Sequence, residues 1–256
     1  MKIAITVDVE NDPIGNLYLG VKKGLPQILK VFEKNEITAT FFITGDILDK
    51  FPDLIKKISK KNEIAIHGTY QHIRLNKFEP NKLKEIIEIK KKIEKLTDKP
   101  VYGFRAPFLD IDLRYPIILK NFGFKYDSSI GTYRIKTFFK RKYLENNYEL
   151  IVLFPNIFFR FPLGYYLFRI LYYLNKNHLT IFYLHPWEAI DVRSLYFYFN
   201  KMKKLNHFLK VYNTFRIDRW VNTGNKFVKK LDNFIIKLKK SNYTLGSIKD
   251  LLKLDK

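Results

Sequence analysis

The chain of 256 residues contains no cysteine. That excludes disulfides and thiolate metal sites, and it removes redox usage as a guide to compartment. Glycine and proline are sparse, at 11 and 10 residues, and 46% of the chain is hydrophobic, which excludes a disordered polymer. No apolar run approaches the roughly 18 residues that a spanning helix needs. The N-terminus lacks the basic, apolar and small-residue pattern of a secretory leader, so the expected location is the cytoplasm. Acidic residues are also few, with 25 Asp and Glu against 47 Lys and Arg, a net charge of +22. Such a field favours anionic partners: nucleic acid, an acidic lipid surface or a phosphorylated substrate. Much of the lysine falls on helix faces, as in Lys90-Lys91-Lys92, where a solvated surface accounts for it.

What acids there are gather early. A mostly apolar strand from Ile3 to Val7 runs into Asp8, Glu10 and Asp12. In open α/β sheets and α/β barrels, the carboxyl ends of the strands are the usual place for a site. Asp8 and Glu10 are two apart, so in extended chain they point the same way.

Downstream, the periodicity alternates between strand and helix. Gly24-Leu25-Pro26 opens a helix through Ile28, Leu29 and Phe32. Ile37 to Ile43 reads as a buried strand, and Asp46 as the cap of the helix after it. Glu63 to Ile66 is a strand delivering His67, Pro80 opens a long helix, and Val101 to Phe104 is a strand delivering Arg105. Tyr115 to Phe122 is helical, and Phe124 to Tyr126 is a strand ending at Asp127. This alternation argues for parallel α/β architecture. The second half is less regular, with strands expected over Leu150 to Phe154 and Leu179 to Leu184, the latter delivering His185. A helix is expected from about Trp220 to Lys240, and Thr244 to Ser247 starts a short final one. With no repeat or linker, the chain reads as a single domain over 1–256. It carries an aromatic and basic insertion around 133–175 and a helical C-terminal part from about 192.

Five strand ends therefore carry ionisable groups, at Asp8 and Glu10, His67 and His72, Arg105, Asp127 and His185. In a barrel-like fold, strand ends far apart in sequence converge on one face. Two imidazoles and a carboxylate suit a zinc-like site with an open position. A metal, a second carboxylate as base and a separate histidine as acid are the parts needed to hydrolyse an unactivated amide or ester.

At these residues the sequence resembles the NodB-type polysaccharide deacetylases of carbohydrate esterase family four. The matching segments are Thr6-Val7-Asp8-Val9-Glu10, Thr38 to Gly45, Glu63 to Gly68, Phe104-Arg105-Ala106-Pro107-Phe108, Tyr126-Asp127-Ser128-Ser129 and Tyr183-Leu184-His185-Pro186-Trp187-Glu188. They run in the family's order over residues 1 to 190 or so. The resemblance implies a distorted (β/α)7 barrel and hydrolysis, dependent on a divalent metal with zinc expected, of an N-acetyl or related acyl group on a sugar. By position, Asp8 matches the general base, Arg105 the arginine that orients it, and His185 the histidine that protonates the leaving amine. Glu10, His67 and His72 match the metal ligands, and Phe108 and Trp187 would line the sugar pocket.

This sequence departs from the family pattern in three ways. Val9 stands where the commonest first motif has a second aspartate, so the metal carboxylate has to be Glu10. That D-x-E form occurs in branches acting on lipid-linked aminosugars or small amides. His67 and His72 are five apart rather than four, about 140° around an ideal helix. Both reach one metal only from a loop or a one-residue π-bulge, which Gly68 makes easier. The family's aspartate-plus-tryptophan motif supporting the acid histidine is missing, and Glu188 or Asp191 is left for that task. Asp127 reads as a turn-stabilising hydrogen-bond acceptor.

The expected substrate is an N-acetylated sugar or glycan, nucleotide- or lipid-linked, reached from the cytoplasm. Tyr133 to Tyr173 is where peripheral contact with an anionic membrane is expected, and no nucleic-acid partner is expected. Two alternatives stay open: an allantoinase-like amidohydrolase acting on a small non-sugar amide, and a non-catalytic glycan- or nucleic-acid-binding module on a decayed deacetylase scaffold.

Overall fold

A computed structural model describes residues 2–12, 17–129, 152–155, 164–173, 179–191 and 222–255. Most of the aromatic and basic insertion at 133–175, with its expected membrane contact, lies outside the described residues. So does the C-terminal part from 192 to 221.

The strands are β1 (Lys2–Val9), β2 (Thr40–Ile43), β3 (Glu63–His67), β4 (Gly103–Arg105), β5 (Tyr126–Asp127), β6 (Val152–Pro155), β7 (Thr180–Leu184) and β8 (Thr244–Gly246). They form one sheet in the order β5-β4-β3-β2-β1-β7-β6, and every described pairing is parallel. The short β8 pairs with residues Lys2 to Ala4 of β1, alongside the stretch that β2 leaves unpaired. At three residues it has no pattern of its own, and sequence periodicity assigns it only to the start of the last helix.

Parallel strands buried on both faces read as near-continuous apolar runs, and β1 is buried from its second residue onward. Its two faces do different work. Ile3, Ile5, Val7 and Val9 join the large core under the helices, whereas Ala4 lies in a small second core with Phe42, Ala65, Tyr126, Ile181, Ile248 and Leu251. Thr6 and Asp8 share Ala4's face by the two-residue period. The sheet is curled, and one contact measures it. Strands lie about 4.8 Å apart, and β2 and β3 separate β1 from β4. Even so, Arg105 on β4 bonds Asp8 on β1 at 2.5 Å. This is the distorted α/β barrel that the sequence implies, with its strand ends facing one another.

The outer helices include Leu25–Lys34, Pro80–Thr97 and Asn225–Lys240, each burying an apolar stripe. The first is preceded by a π-helical turn, Gly20–Gly24. After β2 the N-cap of the next helix is Thr44 rather than Asp46, which instead accepts bonds from Tyr18 and Thr44.

Candidate active site

The strand ends of β1, β3, β4 and β7 bring their polar residues into direct contact. Glu10, just past β1, is nearly buried, with Oε2 3.2 Å from His67 Nε2 and 2.5 Å from His72 Nε2. Ligand atoms of these three residues lie within 4.8 Å of one another. His67 closes β3, and its Nδ1 is 3.0 Å from the carbonyl oxygen of Arg105. A carbonyl only accepts, so Nδ1 carries a proton and Nε2 is the ring nitrogen turned towards Glu10 and His72. A backbone carbonyl that accepts from one ring nitrogen fixes the imidazole's orientation and leaves the other nitrogen for a metal. One carboxylate and two histidines, one with its ring orientation fixed, fit a divalent metal such as zinc. Burial by itself would raise the Glu10 pKa, but bonds to His67 and His72 and the charge of His185 outweigh it and hold the group well below the usual carboxylate range.

The five-residue histidine spacing closes through a loop. His67 is the last strand residue, and Gly68 turns the chain at φ +73°. The segment to Leu75 then runs without helix, so the 140° separation on an ideal helix does not apply.

Beside this cluster lies Asp8, held by Arg105, whose side chain is fully buried. Arg105 Nη1 donates to Asp8 Oδ1 and, at 2.9 Å, to Thr6 Oγ1; Nη2 donates to Ser128 Oγ at 2.9 Å. The guanidinium carbon stands 3.9 Å from the centre of the Phe42 ring. Asp127 closes β5, one residue before Ser128. Its Oδ1 accepts from Ser129 N at 2.8 Å, and burial pushes its pKa up to about 6. The segment Asp127–Ser129 thus serves as the brace that positions Arg105.

On the other flank, His185 follows β7 with Nε2 3.8 Å from Glu10 Oε1. Glu188 takes the supporting place that the sequence leaves open between two acids. Its fully buried Oε1 accepts from His185 Nδ1 at 2.9 Å and from the His185 backbone N–H at 3.2 Å. Burial alone would lower the His185 pKa, but the bond to Glu188 and the charges of Glu10, Glu188 and Asp8 push it up to about 9. Trp187 stacks on the imidazole, with centroids 5.2 Å apart and planes at 25°, and it is 8% exposed. It therefore gives a pocket little surface. Phe108, 42% exposed, shows its ring to solvent at the rim.

Sequence reasoning gives Asp12 no role. Asp12 accepts from the backbone N–H groups of Leu19 and Gly20, so a buried carboxylate caps the π-helical turn. That turn packs on Pro186–Ala189: a Cβ on Gly20 would meet Trp187 N at 2.7 Å, and one on Gly24 would meet Pro186 O at 2.0 Å. Asp12 thereby fixes the platform behind His185. The spacing Asp12, Gly20, Gly24 carries the signal, but only the packing gives it meaning.

The fold and the site define an α/β barrel with a Glu-His-His cluster that could hold a metal, between a carboxylate and a buttressed histidine. The polysaccharide deacetylase family model matches residues 2–126, just under half of the chain, and over that stretch the chain is similar to this NodB-type family of carbohydrate esterases. The peptidoglycan deacetylase of Helicobacter pylori is 32% identical over 129 residues, covering 48% of this chain and 42% of that protein. The matched stretch thus spans less than half of that curated relative's length. Among solved structures, a family 4 carbohydrate esterase from Bacillus subtilis is 19% identical with a TM-score of 0.56, covering 100% of this chain and 82% of that one. A family 4 pseudoenzyme from Bacillus anthracis is 17% identical with a TM-score of 0.59, covering 98% and 65% respectively. At these identities the two structures speak to fold alone.

Proposed function

We propose that the chain hydrolyses the N-acetyl group of a sugar in a metal-dependent reaction. The carrying observation is the convergence of Asp8–Arg105 and His185–Glu188 on opposite flanks of the Glu10–His67–His72 cluster. A divalent cation held by Glu10, His67 and His72 would supply Lewis-acid polarisation of the acetyl carbonyl and acidify water. Asp8, aimed by Arg105, takes the proton of the attacking water. His185, whose pKa the bond to Glu188 and the nearby carboxylates push up, gives its Nε2 proton to the departing nitrogen as the C–N bond breaks. Acetate and a free amino sugar result. Glu188 holds the imidazole by its Nδ1 proton, so Nε2 faces the reacting atoms. His185 draws on Glu188 from its own turn, three residues on, for support.

The finer reading is a substrate carrying phosphate, nucleotide- or lipid-linked, met on the cytoplasmic side. The net charge of +22 favours it. Acetate release should therefore be measured on N-acetylglucosamine oligomers, nucleotide-linked N-acetyl sugars and lipid-linked N-acetyl sugars, with cyclic and linear amides beside them. Turnover confined to amides would move the chain to the amidohydrolase reading. The similarity in fold to a pseudoenzyme keeps a second reading in view, a glycan-binding module without turnover. Glycan binding that survives chelation, with no acetate released from any substrate, would select it.

A further inference from the structure

His72 is the ligand whose position local structure does not fix, because it stands in the loop after β3 with an extra residue between it and His67. What holds it is a second loop, from β4. Pro107 packs on Gly68, where a Cβ would meet Pro107 Cδ and Cγ at 2.6 Å. At the far end, Leu75 N–H donates to Asp110 O at 3.3 Å, and Asp112 N–H donates to Leu75 O at 2.7 Å. Leu75 and Ile111 form a parallel bridge there. The two loops are thus joined at both ends, and between the joints three side chains form a column. The His72 and Phe108 rings lie 4.4 Å apart at 46°, and the Arg74 guanidinium carbon lies 4.7 Å from the centre of the Phe108 ring. Arg74 Nη1 is tied in turn to Asp110 Oδ2 at 2.9 Å.

The backbone under this column is strained. Phe108 and Leu109 both have positive φ, +59° and +53°, in a region that bulky side chains avoid. Such conformations persist where the surroundings over-determine them, and they gather at ligand clamps. A ring that only lined an open pocket would need neither the strain nor a cation stacked upon it. We propose that Phe108 and Arg74 are positioning residues for the metal, together pressing the His72 imidazole onto Glu10. The five-residue spacing is then workable because an aromatic–cation column replaces the helix that would otherwise set the second histidine. This inference rests on the metal-cluster reading.

The test is calorimetric titration of the apo-protein with zinc. Wild type should bind one zinc, and His67→Ala should abolish binding. Phe108→Ala should weaken binding about tenfold, the scale of lost outer-shell support. Arg74→Gln should weaken it several-fold, and Phe108→Tyr, which keeps the ring, should restore wild-type affinity. Phe108→Gly removes the ring yet relieves the positive φ, so it should fold at least as stably as Phe108→Ala while losing as much zinc affinity. That separates positioning from damage to the fold. If Phe108→Ala binds zinc as wild type does and only raises the KM for the sugar, the ring is a pocket wall and the inference is overturned. Unchanged affinity in Arg74→Gln would overturn the column. If wild type itself binds no zinc, the metal-cluster reading falls first, which is a separate result.

Discussion

Replacing Arg105 with methionine should cost the fold more than any substitution on the surface, and the structure sets the scale. The side chain is wholly buried and donates to Asp8, Thr6 and Ser128. Methionine fills similar volume but leaves the nearly buried Asp8 carboxylate without its counter-charge. Removing one partner of a buried pair costs about 3–5 kcal/mol, because the remaining charge is uncompensated. Neutralising both partners costs less than the two single changes together, so Asp8→Asn with Arg105→Met should fall short of additivity by about 2 kcal/mol. Urea unfolding followed by circular dichroism gives the four free energies of the cycle. The coupling should also barely change between 0.1 and 0.5 M salt, since buried pairs are little screened. If Arg105→Met costs under about 1 kcal/mol, or the pair is additive, the buried-pair account is refuted. Activity is a separate readout: neither the single variants nor the double should turn over substrate.

Other consequences can be checked in parallel. Burial pushes the Glu63 carboxyl up to about 7 despite bonds accepted from Thr40, the Lys249 backbone N–H and Tyr126. Because this folded pKa exceeds the ordinary 4.5, its contribution is full below pH 4.5 and is lost as pH rises through about 7. That loss is about 3 kcal/mol, and urea melts at pH 5 and pH 8 should show it shrink in Glu63→Gln; an unchanged pH difference would refute it. In Glu188→Gln the imidazole loses the bond and charge that raise it, so the alkaline limb of kcat should move to lower pH, and a pH–rate profile that does not move would exclude Glu188 as the support. Gly24→Ala should destabilise by about 1–3 kcal/mol through overpacking against Pro186, although helix propensity alone predicts a gain of about 1 kcal/mol; thermal melts decide the sign. Chelation should abolish acetate release, and zinc should restore it in wild type but not in His67→Ala or His72→Ala.

Much of the site is legible in the sequence because each functional side chain ends a strand whose period is plain. Asp8 and Glu10 share a face by spacing alone, and His67, Arg105 and His185 each follow a short apolar run. Less legible are groups whose partner comes from another element. Asp12 works through the N–H groups of Leu19 and Gly20 and, beyond them, the backbone of Trp187. Phe108 and Trp187 look alike in the sequence, as aromatic residues just past a strand, yet one stands at the rim and the other lies stacked on His185.

The sequence by itself therefore determined the parallel α/β alternation, the inventory of chemical groups and the strand ends that carry them. These follow from local rules, the two-residue period of strands and the stripes of helices. Only the tertiary structure decided which groups meet. The curl of the sheet carries Arg105 past two strands to Asp8, and a loop rather than a helix lets His72 reach Glu10. The turn after β7 selects Glu188 over Asp191 as the partner of His185 Nδ1. Each of these depends on contacts between residues distant in sequence or on the path of a loop, and no local period encodes either.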